Sequence, residues 1–237
     1  MKILSRAIIV AAVVAGVLNT VKASETDYTK GIMIVNEDWY GHQNSTVNYL
    51  LPDDVDGDYW RYRIVQAENP GKELGCTNQY GAIWNGRMYL IAKQEKDPGA
   101  SVVGGRISVT DAKTMKLIKQ LQIIDPSGRQ CDGRAFCGVT DKKGYVSTSN
   151  GIWVLNLETL EIERQVEGSG NPNLDGNDKP NTDSGSSLYY GQTGTMVLAG
   201  GKVFAVHQQY GLLVVDTQNK DGPVEHPAAD LHQQGGA

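Results

Sequence analysis

The chain repeats itself. Ile107, Val109, Asp111, Thr114, Leu117, Gln120 and Leu121 recur 45 residues later as Ile152, Val154, Asn156, Thr159, Ile162, Gln165 and Val166. Each copy reads as an alternating strand, a tight Asp/Asn-x-x-Thr turn and a second alternating strand, and a third copy begins at Leu212, Val214 and Asp216. A repeat of this length, made of short strands and free of helical periodicity, describes propeller blades rather than a helical solenoid or a sandwich. The expected fold class is all-β, a β-propeller of four-stranded antiparallel blades.

Naming the strands of a blade A to D from the axis outward, the second blade reads as A near 81–84, B at 88–92, C at 106–110 and D at 115–123. The third has A near 138–140, B from Tyr145, C at 152–155 and D at 160–166; the fourth has A near 195–198, B at 203–206 and C at 212–215. Asn85-Gly86, Lys143-Gly144 and Gly200-Gly201 are expected to turn A into B, because these residues tolerate positive φ. The first blade supplies only B at 31–36, C at 46–51 and D at 59–65. Residues 219–237 contain few β-branched or aromatic residues with which to build both a last D strand and a closing strand. About four blades are therefore present, an incomplete arc, and the natural chain is expected to be longer.

Ahead of the blades, Lys2 and Arg6 precede an apolar run over residues 7–18 and the small-residue signal Val21-Lys22-Ala23. This pattern reads as a secretory signal peptide over residues 1–23, followed by a propeller domain over 24–237, and predicts an exported protein. The apolar run is shorter than a membrane span needs. Ser24 stands where a lipid anchor would require Cys. Losing Lys2, Arg6 and Lys22 from 22 basic side chains leaves 19 against 27 acidic ones, so the basic stripe of a nucleic-acid binder is missing. The chain has three cysteines, Cys76, Cys131 and Cys137. A bridge between the last two and a set of buried thiols both remain open on spacing alone.

In this topology the B-to-C and D-to-A loops emerge on one face. They bring Trp39, Tyr40, His42, Lys93, Asn150, His207, Gln208 and Tyr210 from the first kind of loop, and Gln79, Tyr80, Arg134, Phe136, Tyr189, Tyr190 and Gln192 from the second. Lys93, Asn150 and Gln208 fall five residues after Met88, Tyr145 and Val203, the same point of successive blades. Amides and tyrosines offer donors, acceptors and flat apolar area, which suits a large neutral ligand rich in amides or hydroxyls. Paired carboxylates for acid/base work are missing from the set, and two histidines without Cys or carboxylate partners are a weak metal signal, so no catalytic residues and no metal site are expected in it. The acidic turns around Asp54 and the stretch 175–183 lack calcium-loop spacing. The second lies in an insertion, 169–184, that lengthens the connection to the fourth blade and is expected to form a rim or lid.

The segments Gly31-Ile-Met-Ile-Val-Asn-Glu-Asp-Trp-Tyr-Gly-His42, Leu74-Gly-Cys-Thr-Asn-Gln-Tyr80 and Ser149-Asn-Gly-Ile-Trp-Val154 resemble the exported YncE-like (DUF5074-type) β-propellers of Bacteroidetes. Within that group the chain is similar to seven-bladed proteins that capture vitamin B12 at the cell surface for a TonB-dependent outer-membrane transporter. The resemblance implies a non-catalytic corrinoid-binding propeller of the cell envelope, in the periplasm or at the outer membrane, with the corrinoid as ligand and no further cofactor. A protein-interaction scaffold at the envelope is the alternative. A propeller lyase or lactonase is a third reading, which would need a metal or acid/base cluster at the axis.

Overall fold

The computed structural model describes residues 26–54, 57–174, 190–218 and 222–226. The signal segment, Tyr189 and the stretch 175–183 lie outside the described residues. Strands β1 (Ile32–Asn36), β2 (Thr46–Asp54) and β3 (Gly57–Arg61) form the first sheet. The second contains β4 (Cys76–Trp84), β5 (Arg87–Gln94), β6 (Ile107–Asp111) and β7 (Leu117–Leu121). The third contains β8 (Gly133–Gly138), β9 (Lys143–Thr148), β10 (Gly151–Asn156) and β11 (Glu161–Gln165). The fourth contains β12 (Thr193–Ala199), β13 (Lys202–His207) and β14 (Gly211–Asp216). Each sheet follows chain order and its neighbours are antiparallel, the meander expected of a blade. The edge strands β4, β8 and β12 lie beside one another along an arc, β1 stands next to β4, and among the described residues the sheets do not close into a ring.

Alternation holds the arc together. In β5, Met88 and Leu90 enter a core shared with the first sheet, whereas Tyr89 and Ile91 enter one shared with the third. In β10, Trp153 and Leu155 complete that second core while Ile152 and Val154 turn to a third, with Val203, Ala205, Leu213 and Val215 of the last sheet. Interior strands are thus apolar on both faces, with near-continuous burial along β5, β9 and β10. All three cysteines are buried and free.

The repeat signature proves to be an Asx turn. Asp111 Oδ1 accepts the amides of Lys113 and Thr114 at 3.0 and 2.8 Å, and the Thr114 hydroxyl at 2.9 Å. Asn156 Oδ1 accepts the amides of Glu158 and Thr159 at 2.9 and 3.0 Å, and Asp216 Oδ1 that of Gln218 at 2.9 Å. Met115 and Leu160, next along in the first two copies, both sit at φ 56°. The side-chain acceptor replaces backbone partners that this tight reversal strands.

Several boundaries differ from those read in the sequence. Strands β4 and β8 begin about five residues before the expected A strands, so Gln79, Tyr80, Arg134 and Phe136 are strand residues, not loop residues. Lys143-Gly144 does not turn. The reversal is two residues earlier, centred on Asp141-Lys142, where the Thr140 hydroxyl accepts the amides of Lys142 and Lys143 at 3.2 and 3.0 Å. Gly144 lies within β9 because a Cβ there would meet the Phe136 ring at 2.7 Å. Strand β3 stops at Arg61, and Ile64–Glu68 forms a short helix α1 that buries Ile64 and Val65 in the first core. Among the described residues after β14, Glu225 makes one bridge to Val214, and the amide of Val224 donates to the Glu167 carbonyl at 3.0 Å.

Candidate ligand-binding site

The expected site residues fall into two groups and two exceptions. The first group begins with the turn 39–42, where the His42 amide donates to the Trp39 carbonyl at 3.0 Å and the two rings lie 3.9 Å apart. Trp39 is 71% and Tyr40 54% exposed, so the turn holds out an aromatic platform that no packing requirement explains.

Its base is rigid. Asp97, 1% exposed in the second blade, accepts the Gly41 amide at 2.6 Å and the Gly99 amide at 2.9 Å. The Asp97 amide in turn donates to buried Asn44 Oδ1 at 2.6 Å. Ser45 donates its hydroxyl to the Glu37 carbonyl at 2.8 Å and accepts the Asn78 amide at 2.8 Å. Burial pushes the neighbouring Cys76 thiol above its ordinary value, with the Asp97 carboxylate adding to the rise, so Cys76 stays a neutral donor 3.7 Å from Asp97.

Beside the platform, three blades contribute to one polar cluster. Glu37 Oε1 accepts Gln79 Nε2 at 2.8 Å and pairs with Lys93 Nζ at 3.7 Å, while Gln79 Oε1 accepts an Arg134 guanidinium N–H at 3.3 Å. Gln79, Lys93 and Arg134 lie on strands β4, β5 and β8 rather than in loops, and Glu37 directly follows β1, which fixes their spacing across the blade boundaries. Tyr80 packs its ring partly into the second core.

The second group gathers at the third and fourth blades. His207 is buried and its Nδ1 accepts the amides of Gln209 and Tyr210 at 3.2 and 3.0 Å. Its ring stacks on Tyr210 at 4.7 Å, and Tyr210 meets His226 edge to face at 4.7 Å. Burial holds His207 below its ordinary pKa, against the opposing pull of the Gly191 carbonyl, so it remains neutral and keeps Nδ1 as an acceptor. Gln192 takes the Gln208 amide on its carbonyl at 3.1 Å, and its own side-chain Oε1 is buried without a partner. Asn173 spans the carbonyl of exposed Tyr190 at 2.9 Å and Gln209 Oε1 at 2.8 Å.

The exceptions serve the fold. Phe136 is buried between blades and stacks on Tyr89 at 4.1 Å. Asn150, also buried, caps a turn: its Oδ1 accepts the Asn171 amide at 3.1 Å, and its carbonyl accepts Trp153 Nε1 at 3.0 Å and Gln165 Nε2 at 2.8 Å. Sequence reasoning passed over Glu37, Asp97, Asn171 and Asn173. Glu37 lies two residues before Trp39 and was legible by position, whereas nothing in the sequence marks Asp97 as the partner of a turn 56 residues away.

The family model described as "Domain of unknown function (DUF5074)" matches residues 30–226, most of the described arc. The chain belongs to the DUF5074 family. No curated protein matches it. Among solved structures, this DUF5074 chain is similar to the computationally designed Ika8 protein, with 14% identity and a TM-score of 0.38, covering 79% of this chain and 46% of that one. It is also similar to the extracellular domain of BT3049 from B. thetaiotaomicron, with 14% identity and a TM-score of 0.43, covering 83% of this chain and 26% of that one. The DUF5074 chain therefore spans less than half the length of either. Among the described residues, no helix is long and apolar enough to cross a membrane.

Proposed function

We propose that this DUF5074 chain is an exported, non-catalytic ligand-binding propeller of the cell envelope, and that its ligand is a corrinoid passed to a TonB-dependent outer-membrane transporter. The observation that carries the reading is Trp39, 71% exposed with its ring tilted against that of His42, held on a buried clamp beside the Glu37, Gln79, Lys93 and Arg134 cluster. A corrinoid combines a flat apolar macrocycle with a fringe of amides. The aromatic turn offers area for the first, and the cluster offers alternating donors and acceptors for the second. The reading involves no catalytic step and no further cofactor, and the signal-peptide pattern read over residues 1–23 supports export.

Titration of the purified chain with cyanocobalamin, followed by calorimetry, tests the ligand. Saturable binding at micromolar concentration or tighter is expected, and none in that range removes the corrinoid. The exposed Trp39 and Tyr40 also fit a protein contact, in which such side chains dominate. That second reading predicts a cobalamin-blind chain that co-purifies with an envelope protein through the same turn.

A further inference from the structure

Strand register identifies one position in three successive blades. Asn78 pairs with Ala92, Gly133 with Thr148 and Thr193 with His207, each time just before a bulge in the first strand of the sheet. Ala92, Thr148 and His207 therefore occupy the same place, near the end of the second strand. In the third blade the Thr148 hydroxyl accepts the Asn150 amide at 3.0 Å and so caps the turn into β10. In the fourth, His207 caps the turn into β14 with Nδ1, which accepts the amides of Gln209 and Tyr210 at 3.2 and 3.0 Å. Of these three blades, only the fourth closes its turn with a side chain that titrates near neutral pH.

A ring nitrogen that accepts two N–H groups carries no proton, so neutral His207 holds its proton on Nε2. Imidazolium is a donor at both nitrogens, and its Nδ1–H would point at the two amides that now donate to it. Water cannot separate them, because His207 is 1% exposed. The stack on Tyr210 favours the cation but offers Nδ1 no acceptor. The titratable groups that face the ring are Tyr210 and, beyond it, His226, with Tyr190 at the rim. Lys202 and Glu225 pair with each other at the opposite end of β13, and among the described residues no carboxylate pairs with His207. A histidine that folding keeps neutral supports its turn above an unfolded value of about 6.5, and that support is lost as the pH falls below it.

The capped turn is also a joint between segments. The Gln208 amide donates to the Gln192 carbonyl at 3.1 Å, and Gln209 Oε1 accepts Asn173 Nδ2 at 2.8 Å, the same nitrogen that donates to the Tyr190 carbonyl at 2.9 Å. We propose that His207 is an acid-sensitive latch, whose protonation opens the turn and releases Gln208, Gln209 and Tyr210 from the segments 171–173 and 190–192. The fourth-blade part of the loop face is then closed at neutral pH and open in acid. The inference is independent of the corrinoid reading, which rests on the Trp39 turn, and every group in the latch lies between Asn171 and His226.

Amide hydrogen exchange at Gln209 and Tyr210 in the purified chain, read by NMR and corrected for the intrinsic pH dependence of exchange, tests it. Protection of both amides is expected to fall by up to about 25-fold between pH 7 and pH 5, the ratio given by a proton that binds only the open turn, while amides of β9 stay unchanged. The His207 ring resonances should move over the same range. His207→Thr, which copies Thr148, is expected to keep most of the protection at pH 7 and to lose its pH dependence, whereas His226→Gln retains it. Constant protection in the wild type overturns the proposal, as does a His207 ring that titrates with no change in the turn. A response that survives His207→Thr, or that vanishes in His226→Gln, overturns it equally.

Discussion

The buried carboxylate of Asp97 in the second blade accepts the backbone amide of Gly41 in the first at 2.6 Å, so the aromatic turn is anchored by a blade to which it does not belong. Asp97→Ala removes this bond together with that from Gly99, and leaves both amides without their acceptor. The expected cost is about 2 kcal/mol, the range for a hydrogen bond to a charged group. Urea unfolding measures it, and faster hydrogen exchange at Gly41 locates it in the turn; an unchanged midpoint would show the clamp to be incidental.

Trp39→Ala separates binding from folding. Trp39 is mostly exposed, so stability should change by less than about 0.5 kcal/mol. Cyanocobalamin affinity should fall at least tenfold, or about 1.4 kcal/mol, by calorimetric titration. Equal affinity in the variant would move the ligand to the His207 and Tyr210 group.

The Asx turns make a pH-dependent prediction. Burial alone would raise the Asp111 carboxyl, but the amide and hydroxyl of Thr114 and the amide of Lys113 outweigh it and hold the group below its ordinary value. A carboxylate lowered by folding contributes stability above its unfolded value near 4, and that contribution is lost as the pH falls through the folded value. Asp111→Asn, which copies the residue that nature uses at Asn156, should keep the stability at pH 7 and flatten the loss below about pH 4. Asp111→Ala should cost about 1 kcal/mol at pH 7. Acid titrations of the three proteins by circular dichroism decide the matter; parallel curves for wild type and Asp111→Asn would contradict it.

Gly138 marks a close approach between blades. A Cβ there would stand 2.2 Å from the Trp84 indole, whose Nε1 donates to the Thr140 carbonyl at 3.1 Å. Gly138→Ala should destabilise by about 2 to 3 kcal/mol, at the upper end for overpacking, with a shift in tryptophan emission. A variant as stable as wild type would show that the indole moves aside at no cost.

Much of the architecture was legible because a blade is written in short-range signals. Alternation at Ile107 and Val109 and the Asp111 turn depend only on neighbours in sequence, and they recur wherever the blade recurs. What failed was decided across blades. The Lys143-Gly144 pair looks like a hairpin turn, yet Gly144 is glycine because the Phe136 ring lies over it. The chain after Arg61 looks like more strand, yet Ile64 and Val65 bury better from a helical turn. The candidate site follows the same division: Trp39, Tyr40 and His42 are visible as a run, whereas Glu37 meeting Gln79 and Lys93 is a tertiary event.

Strands β5, β9 and β10 lend alternate residues to different cores, so every core is owned jointly by two blades. Cooperativity in this chain is therefore a matter of adjacency. Loss of the second or third blade exposes half of two cores at once. Within the described arc, amide exchange should be slowest in β5, β9 and β10, the strands buried almost throughout, and faster in the more exposed β3 and β11.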